Sequence, residues 1–398
     1  MNSKLAKSVL VLISDLRVSN EKFIYRNISG FIVCVAIAGC SSGVSQPIEA
    51  EGGNQQTSAD ALSCNDGLKS ALNDGDTTIL TVKQFKQGEP LLLSGTPTAA
   101  TPVANADLCL VKLLVGPGKP GPADAPSTST GIGIGIEVWL PSHTKWNERI
   151  RVYGNGGWAG ADEAKQTVIA DTYYTFPHYA AASKGYVVAT SDNGHTSPPG
   201  TQFNGSFSMN PDGTVNTVGW HDFSERSVHV LAEKSKATAK AFYGKVHKFA
   251  YWDGYSTGGR QALKLAQNYP NDFDGILGGA PAINWTKFQT SVLYSQIVMK
   301  QDLGGNMAAE KLTALSQVAV NECDGGEPGF VIDPLSCRYD PTKDAGVVCT
   351  SEVSTVRGFY RFYLIPGFGH REPVSGKTFV PLPQSAAGRD EMFTALQK

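Results

Sequence analysis

The sequence predicts an α/β fold, a mostly parallel sheet flanked by helices, from two observations. First, apolar strand-like runs alternate with segments of helical spacing from about residue 133 to residue 320. Second, the apolar run Lys248–Trp252 leads into Gly254-Tyr255-Ser256-Thr257-Gly258-Gly259 and out through the helix-like stretch Arg260–Ala266. With 398 residues, 41% of them apolar, the chain can bury a large core. A formal net charge of −2, with no basic stripe, gives no reason to expect a nucleic-acid partner.

Residues 1–39 read as a signal peptide. A short apolar run, Ile28–Gly39, follows Lys22 and Arg26 and ends in Ile37-Ala38-Gly39-Cys40. The run is too short to span a bilayer comfortably, and small residues precede the cysteine, as signal cleavage requires. The competing reading is a buried N-terminal helix. The Cys40 pattern resembles a bacterial lipobox, which implies lipidation of Cys40 and a protein facing the periplasm or exterior, with membrane contact only through a lipid anchor. Residues 40–58 are rich in Ser, Gly and Gln and read as a flexible tether, so the folded domain is expected over 59–398. Export favours disulfides. Beyond Cys40 five cysteines remain (Cys64, Cys109, Cys323, Cys337 and Cys349), an odd number that leaves at least one without a partner in the chain.

Asp60–Leu110 carries short strand-like runs between Pro, Gly and Thr clusters, and Val115–Ser129 reads as a loop or linker. Strands are expected at Gly133–Leu140, Arg149–Tyr153 and Gly185–Ala189, the last preceded by a helix from about Tyr179. Ser224–Tyr243 places Val228, Leu231, Ala232, Ala239 and Phe242 at helical spacing. Gly275–Gly279 reads as a buried strand, and helices are expected at Thr290–Lys300 and Met307–Val320.

A Gly-x-Ser-x-Gly between a strand and a helix is a nucleophile elbow, the signature of an α/β-hydrolase. The competing reading is a glycine-rich loop that happens to contain a serine. An activated serine needs a base, and the chain order in this fold is serine, acid, histidine. Of seven histidines only His370 follows Ser256, and it lies just after a strand-like run and a Pro/Gly turn. His195 and His229 come earlier and fit a supporting role. Acyl transfer also needs N–H donors for the oxyanion: Thr257, after the nucleophile, and a glycine of the turn Gly154–Gly157, with Gly156 or Gly157 left open.

Five stretches together resemble the tannase and feruloyl esterase family: GNGGWAG (154–160), SDNGHTS (191–197), GYSTGGRQAL (254–263), YPNDFDGILGGAPAINW (269–285) and IPGFGH (365–370). The resemblance runs from about Cys64 to Arg357 and resumes at Phe359–His370. It implies an α/β-hydrolase fold, export, and hydrolysis of phenolic or related carboxylic esters by Ser256 and His370, with Thr257 and Gly156 or Gly157 as the oxyanion hole. It further implies the disulfides Cys64–Cys109 and Cys323–Cys337. No organic cofactor is implied, and the partner is a small-molecule ester.

The chain departs from the family pattern in three places. Cysteines that usually flank the nucleophile and the histidine, bonded to each other, are here Tyr255 and Arg371. The long lid insertion and the acid-bearing strand are not recognisable, which makes residues 286–358 a remnant of the lid and leaves the catalytic acid unknown. By pattern alone Asp333, after the run Phe330-Val331-Ile332, is a weak candidate, and Asp340 and Asp344 are weaker still. The family's calcium loop is shortened here and keeps Asp324, Glu327 and Asp333 as acidic ligand candidates, so a solvated disulfide loop without metal is an equal reading. The sequence therefore predicts an exported serine esterase of carboxylic esters, with a non-catalytic or truncated hydrolase-like lipoprotein as the alternative.

Overall fold

The structure, a computed structural model, describes residues 8–11, 61–116, 133–170, 177–197, 204–324 and 336–345. These fall into two compact units, one up to Pro281 and one from Ala282 onward. The signal, lipidation and tether expectations, apart from residues 8–11, lie outside the described residues.

The first unit is built on one eight-stranded sheet. Its strands are β1 (Ser8–Val11), β2 (Thr77–Phe85), β3 (Leu108–Val115), β4 (Ile134–Pro141), β5 (Arg149–Tyr153), β6 (Val187–Ser191), β7 (Phe249–Tyr255) and β8 (Gly275–Gly279), in the order β1-β8-β7-β5-β6-β4-β3-β2. The four pairings from β1 to β6 are parallel, whereas β4 runs antiparallel to β6 and the β2–β3–β4 ladder is antiparallel throughout. The sheet is thus mixed, and parallel where the serine sits. β2, β3 and β4 are consecutive strands that lie side by side, and strands that are neighbours both in the chain and in the sheet commonly pair antiparallel.

Both faces of the sheet are covered, and the period of two divides the side chains between them. Val111, Leu113, Ile136, Val138, Ile150 and Val152 face one layer with Trp252 and Phe273, while Leu108, Leu110, Trp139, Tyr153 and Tyr251 face the other. The first layer receives α1 (Asp66–Leu72) through Leu68, and α4 (Ser227–Tyr243) through Val228, Leu231, Ala232, Ala239 and Phe242. It also receives α5 (Thr257–Asn268) through Ala262 and Leu265; α2 (Pro177–Lys184) packs on the opposite layer through Ala181. Burying each large aliphatic side chain contributes about 1.5–3 kcal/mol, so the sheet core dominates the stability of this unit.

The helix expected from Ser224 begins differently. A short helix α3 (Thr217–His221) runs into a π-helical turn, Asp222–Arg226, before α4 starts at Ser227. The wide turn shifts the side chains of Asp222 and Phe223 into the interior, where both are buried. α4 ends at Gly244 in the left-handed region (φ 69°), whose N–H bonds back to the Lys240 carbonyl. α1 was not expected. Asn65 caps it, its side-chain oxygen accepting the Gly67 N–H at 2.9 Å. Cys64, just ahead of the cap, is bonded to Cys109 on β3.

In the second unit, α6 (Trp285–Leu303) stops at Gly304 in the left-handed region and α7 (Ala309–Cys323) follows. Cys323 is bonded to Cys337, so both pairings implied by the resemblance are present. Among the described residues no helix is long and apolar enough to cross a membrane.

Candidate active site

Ser256 stands between β7 and α5 with φ 62° and ψ −116°, a backbone conformation costly for any residue with a Cβ. It is pinned from both sides. Its N–H donates to the Gly279 carbonyl at 3.0 Å, extending the β7–β8 ladder by one bond, and its own carbonyl accepts the Arg260 N–H at 3.0 Å, the first turn of α5. The glycines make room for this turn. A Cβ on Gly254 would lie 2.2 Å from the Gly258 carbonyl oxygen, and one on Gly259 would lie 2.4 Å from the Gly279 oxygen. Trp252 Nε1 donates to the same Gly258 carbonyl at 3.1 Å, which fixes the helix start to the strand before it.

The glycine turn after β5 lies directly on the elbow. Thr257 Oγ1 donates to the Gly157 carbonyl at 2.5 Å, and the Gly258 N–H donates to the Asn155 carbonyl at 2.6 Å. The fit requires the missing side chain of Gly154, since a Cβ there would sit 2.6 Å from Gly258 Cα. Gly156 is buried and its carbonyl accepts the Ala159 N–H at 2.9 Å; Gly157 adopts φ 55°. The turn that carries Gly156 and Gly157 is thus bonded to Thr257 and Gly258, the two residues that follow Ser256.

The turn after β6 completes the surroundings. Asn155 Nδ2 donates to the Ser191 carbonyl at 2.8 Å, joining this turn to the glycine turn. Asp192 Oδ1 accepts the N–H groups of Gly194 (2.8 Å) and Gly135 (2.9 Å). His195 is buried against Gly160 and stacks flat on Phe207, with centroids 3.7 Å apart. Neither ring nitrogen makes a hydrogen bond of ordinary geometry. Burial pushes its pKa down to about 4, although backbone groups of Trp158 and Asn193 favour the charged form, so the imidazole is neutral at pH 7. His229 instead joins α4 to the turn after α5: its Nδ1 meets Asp272 Oδ2 at 2.8 Å and its ring stacks on Tyr269.

Four features near these turns were not read from the sequence. Trp158, Phe207, Trp220 and Phe223 form an aromatic cluster, with the Arg260 guanidinium 4.8 Å above Phe223. Arg260 also donates to the carbonyls of Phe223 and Ser224, both at 3.1 Å, tying the π-helical turn to the nucleophile helix. Gln261 is fully buried against the glycine turn. Two groups of buried charges, around Lys112 and around Arg151, lie within the sheet. A lone charged residue centred in an apolar run, such as Lys112 in β3 or Glu137 in β4, was the available signal for the last of these.

His370, Glu327 and Asp333 lie outside the described residues. Asp324 follows α7 directly, beside the Cys323–Cys337 bond. Asp340 is paired with Lys343 at 3.3 Å and Asp344 accepts the Tyr339 hydroxyl at 2.7 Å. Among the described residues no group of three or more His, Cys, Asp or Glu side chains could hold a metal ion.

The family model described as tannase and feruloyl esterase matches residues 123–356, more than half of the chain. The chain belongs to the tannase and feruloyl esterase family. It is 36% identical over 223 residues to a probable feruloyl esterase of Arthroderma benhamiae, covering 55% of this chain and 39% of that protein. It is 27% identical over 310 residues to probable feruloyl esterase B-2 of Aspergillus fumigatus strain Af293, covering 75% of this chain and 50% of that protein. The crystal structure of feruloyl esterase B from Aspergillus oryzae superposes with a TM-score of 0.52 at 25% identity, covering 74% of this chain and 55% of that one. The chain thus spans half or less of the length of these curated relatives. Its fold is the α/β-hydrolase fold of the family.

Proposed function

We propose that this family member is an exported, lipid-anchored serine esterase that hydrolyses carboxylic esters, those of phenolic acids of the feruloyl or galloyl type first among them. The observation that carries the reading is the left-handed Ser256 at the head of α5 with the Gly156–Gly157 turn bonded to Thr257 beside it. Glycine would adopt that backbone conformation without strain, so a serine there is held at a cost in stability.

In the proposed reaction His370 takes the proton of Ser256 Oγ as the oxygen attacks the ester carbonyl. The Thr257 N–H and that of Gly156 or Gly157 stabilise the oxyanion. The alcohol leaves with the proton, and a water activated by the same base then attacks the acyl-enzyme, releasing the acid and restoring Ser256. A carboxylate orienting the imidazole is worth about 10⁴ in kcat in a triad enzyme, and only Asp333 is a pattern-based candidate here. Tyr255 and Arg371 also replace the cysteines of the usual clamp. The rate is therefore expected to be low.

The test is covalent labelling of the purified protein with a fluorophosphonate, with Ser256→Ala as control. Labelling that requires Ser256 is expected, followed by hydrolysis of methyl ferulate or methyl gallate. A folded protein that takes no label would overturn the reading in favour of a hydrolase scaffold without chemistry.

A further inference from the structure

The three contacts between the glycine turn and α5 do not contribute equally to the oxyanion geometry. Two come from the elbow itself, the Thr257 hydroxyl and the Gly258 N–H. The third comes from Gln261, four residues after Thr257 and so on the same face of the helix. Gln261 is fully buried, and its Oε1 accepts the backbone N–H of Asn155 at 3.1 Å. The assignment is unambiguous because a backbone N–H can only donate. Its Nε2 lies 3.5 Å from Asn155 Oδ1, so the side chain meets Asn155 at two atoms.

Asn155 is thereby held at every polar group. Gln261 takes its N–H, Gly258 fills its carbonyl, and Ser191 receives its side-chain N–H. A peptide unit is planar and trans, so its N–H points opposite to its C=O. Anchoring the Asn155 carbonyl on Gly258 fixes the direction of the Gly156 N–H. Anchoring the Gly156 carbonyl on Ala159 likewise fixes the Gly157 N–H. Gln261 is the only side chain among these contacts that reaches from the nucleophile helix to the start of the turn, ahead of both amides.

We infer that Gln261 is a positioning residue of the oxyanion hole: by holding the Asn155 N–H it fixes the peptide unit just ahead of the one that carries the Gly156 N–H, and so keeps the glycine amide in register with the Thr257 amide. It touches no reacting atom. Its effect falls on the transition state, where the carbonyl oxygen moves into the hole, and not on substrate binding. The inference rests on the esterase reading above.

The experiment compares wild type with Gln261→Leu and the near-isosteric Gln261→Met, neither of which can accept the Asn155 N–H strongly. The expected result is a fall in kcat of about tenfold to a hundredfold, the range for a misplaced catalytic contact, with KM changed by less than about twofold. The inhibition constant of an arylboronic acid, which forms a tetrahedral adduct on the serine, should rise by the same factor as kcat falls. Inhibition by the free carboxylic acid product should not change. Unchanged kcat, a change confined to KM, or loss of folding in both variants would overturn the inference, the last by making Gln261 a residue of the core. If the wild type neither takes the fluorophosphonate nor hydrolyses an ester, the esterase reading has failed rather than this one.

Discussion

Two groups of charges are buried in the same sheet, and they are balanced differently. On β5 and β7, Arg151 meets Asp253 through Nε at 3.2 Å and Nη2 at 2.5 Å, with both side chains almost wholly buried and the guanidinium 4.9 Å from the Tyr153 ring. Among the described residues this ion pair sets one cation against one carboxylate. Two strands away, Lys112 meets Glu137 at 2.6 Å, directly opposite it in the β3–β4 register, and donates to the carbonyls of Asp162 and Val168. Glu163 and Asp192 are buried near this pair, and Asp192 in turn feels Asp222, which is already paired with Arg226 at 2.6 Å. Carboxyls outnumber cations here. Burial first, and Glu137 second, push the Glu163 carboxyl up to about 8; burial and Glu163 raise that of Asp192. Buried charge in this sheet is thus neutralised either by a partner or by a proton, and the second choice makes stability depend on pH.

The Arg151–Asp253 pair is the more sensitive to losing a partner. Arg151→Met leaves Asp253 buried and alone, which is expected to cost about 3–5 kcal/mol in urea unfolding, the largest effect. Adding Asp253→Leu should recover most of that loss, because an apolar pair needs no partner. If the single variant is as stable as wild type, the pair is not a closed unit.

At the other end Glu163→Gln keeps the shape and removes the titration. A carboxyl with its folded-state pKa raised from 4.5 to about 8 contributes stability that is complete below 4.5 and is lost as pH rises to about 8. The loss approaches about 1.4 kcal/mol per pH unit inside that window, as an order of magnitude. The melting temperature of Glu163→Gln relative to wild type should therefore climb between pH 4.5 and 8 and level off above it. A constant difference across that range would show that Glu163 is not the proton carrier. The smallest effect belongs to an exposed analogue. Glu148 is drawn down to about 2, chiefly by its contact with Lys245 at 2.5 Å and then by Lys248. Its contribution is present above 4.5 and lost as pH falls through 2, and because solvent screens it, Glu148→Gln should shift the melting temperature only slightly and not at all in 1 M salt.

The same contrast explains what could be read from the sequence. The elbow, the glycine turn and the strands β4, β5, β7 and β8 are local features: glycine spacing around Ser256 and period-two runs carry them without knowledge of neighbours. The contact between Thr257 and Gly157 joins two motifs, the elbow and the glycine turn, each legible by itself. Pairings set by register did not. Lys112 and Glu137 are 25 positions apart and face each other only because β3 and β4 align at those residues. Gln261 reads as an ordinary polar helix residue, and only the absent side chain of Gly154, whose Cβ would lie 3.0 Å from Gln261 Oε1, gives it a backbone to hold. α1 lies where only short strand-like runs are expected from the sequence, although Asn65-Asp66 is a sound helix start. The antiparallel half of the sheet was missed because strand direction is set by connections, not by composition.

The backbone at Ser256 also bears on how the chain would change over time. A serine held at φ 62° stores about 1–3 kcal/mol that a glycine would release. Selection for stability alone would therefore favour the hydroxyl's disappearance: a lineage with no use for it would gain a firmer fold by a one-residue change. The serine here is thus a standing load on the scaffold, one that a serine-to-glycine change would lift.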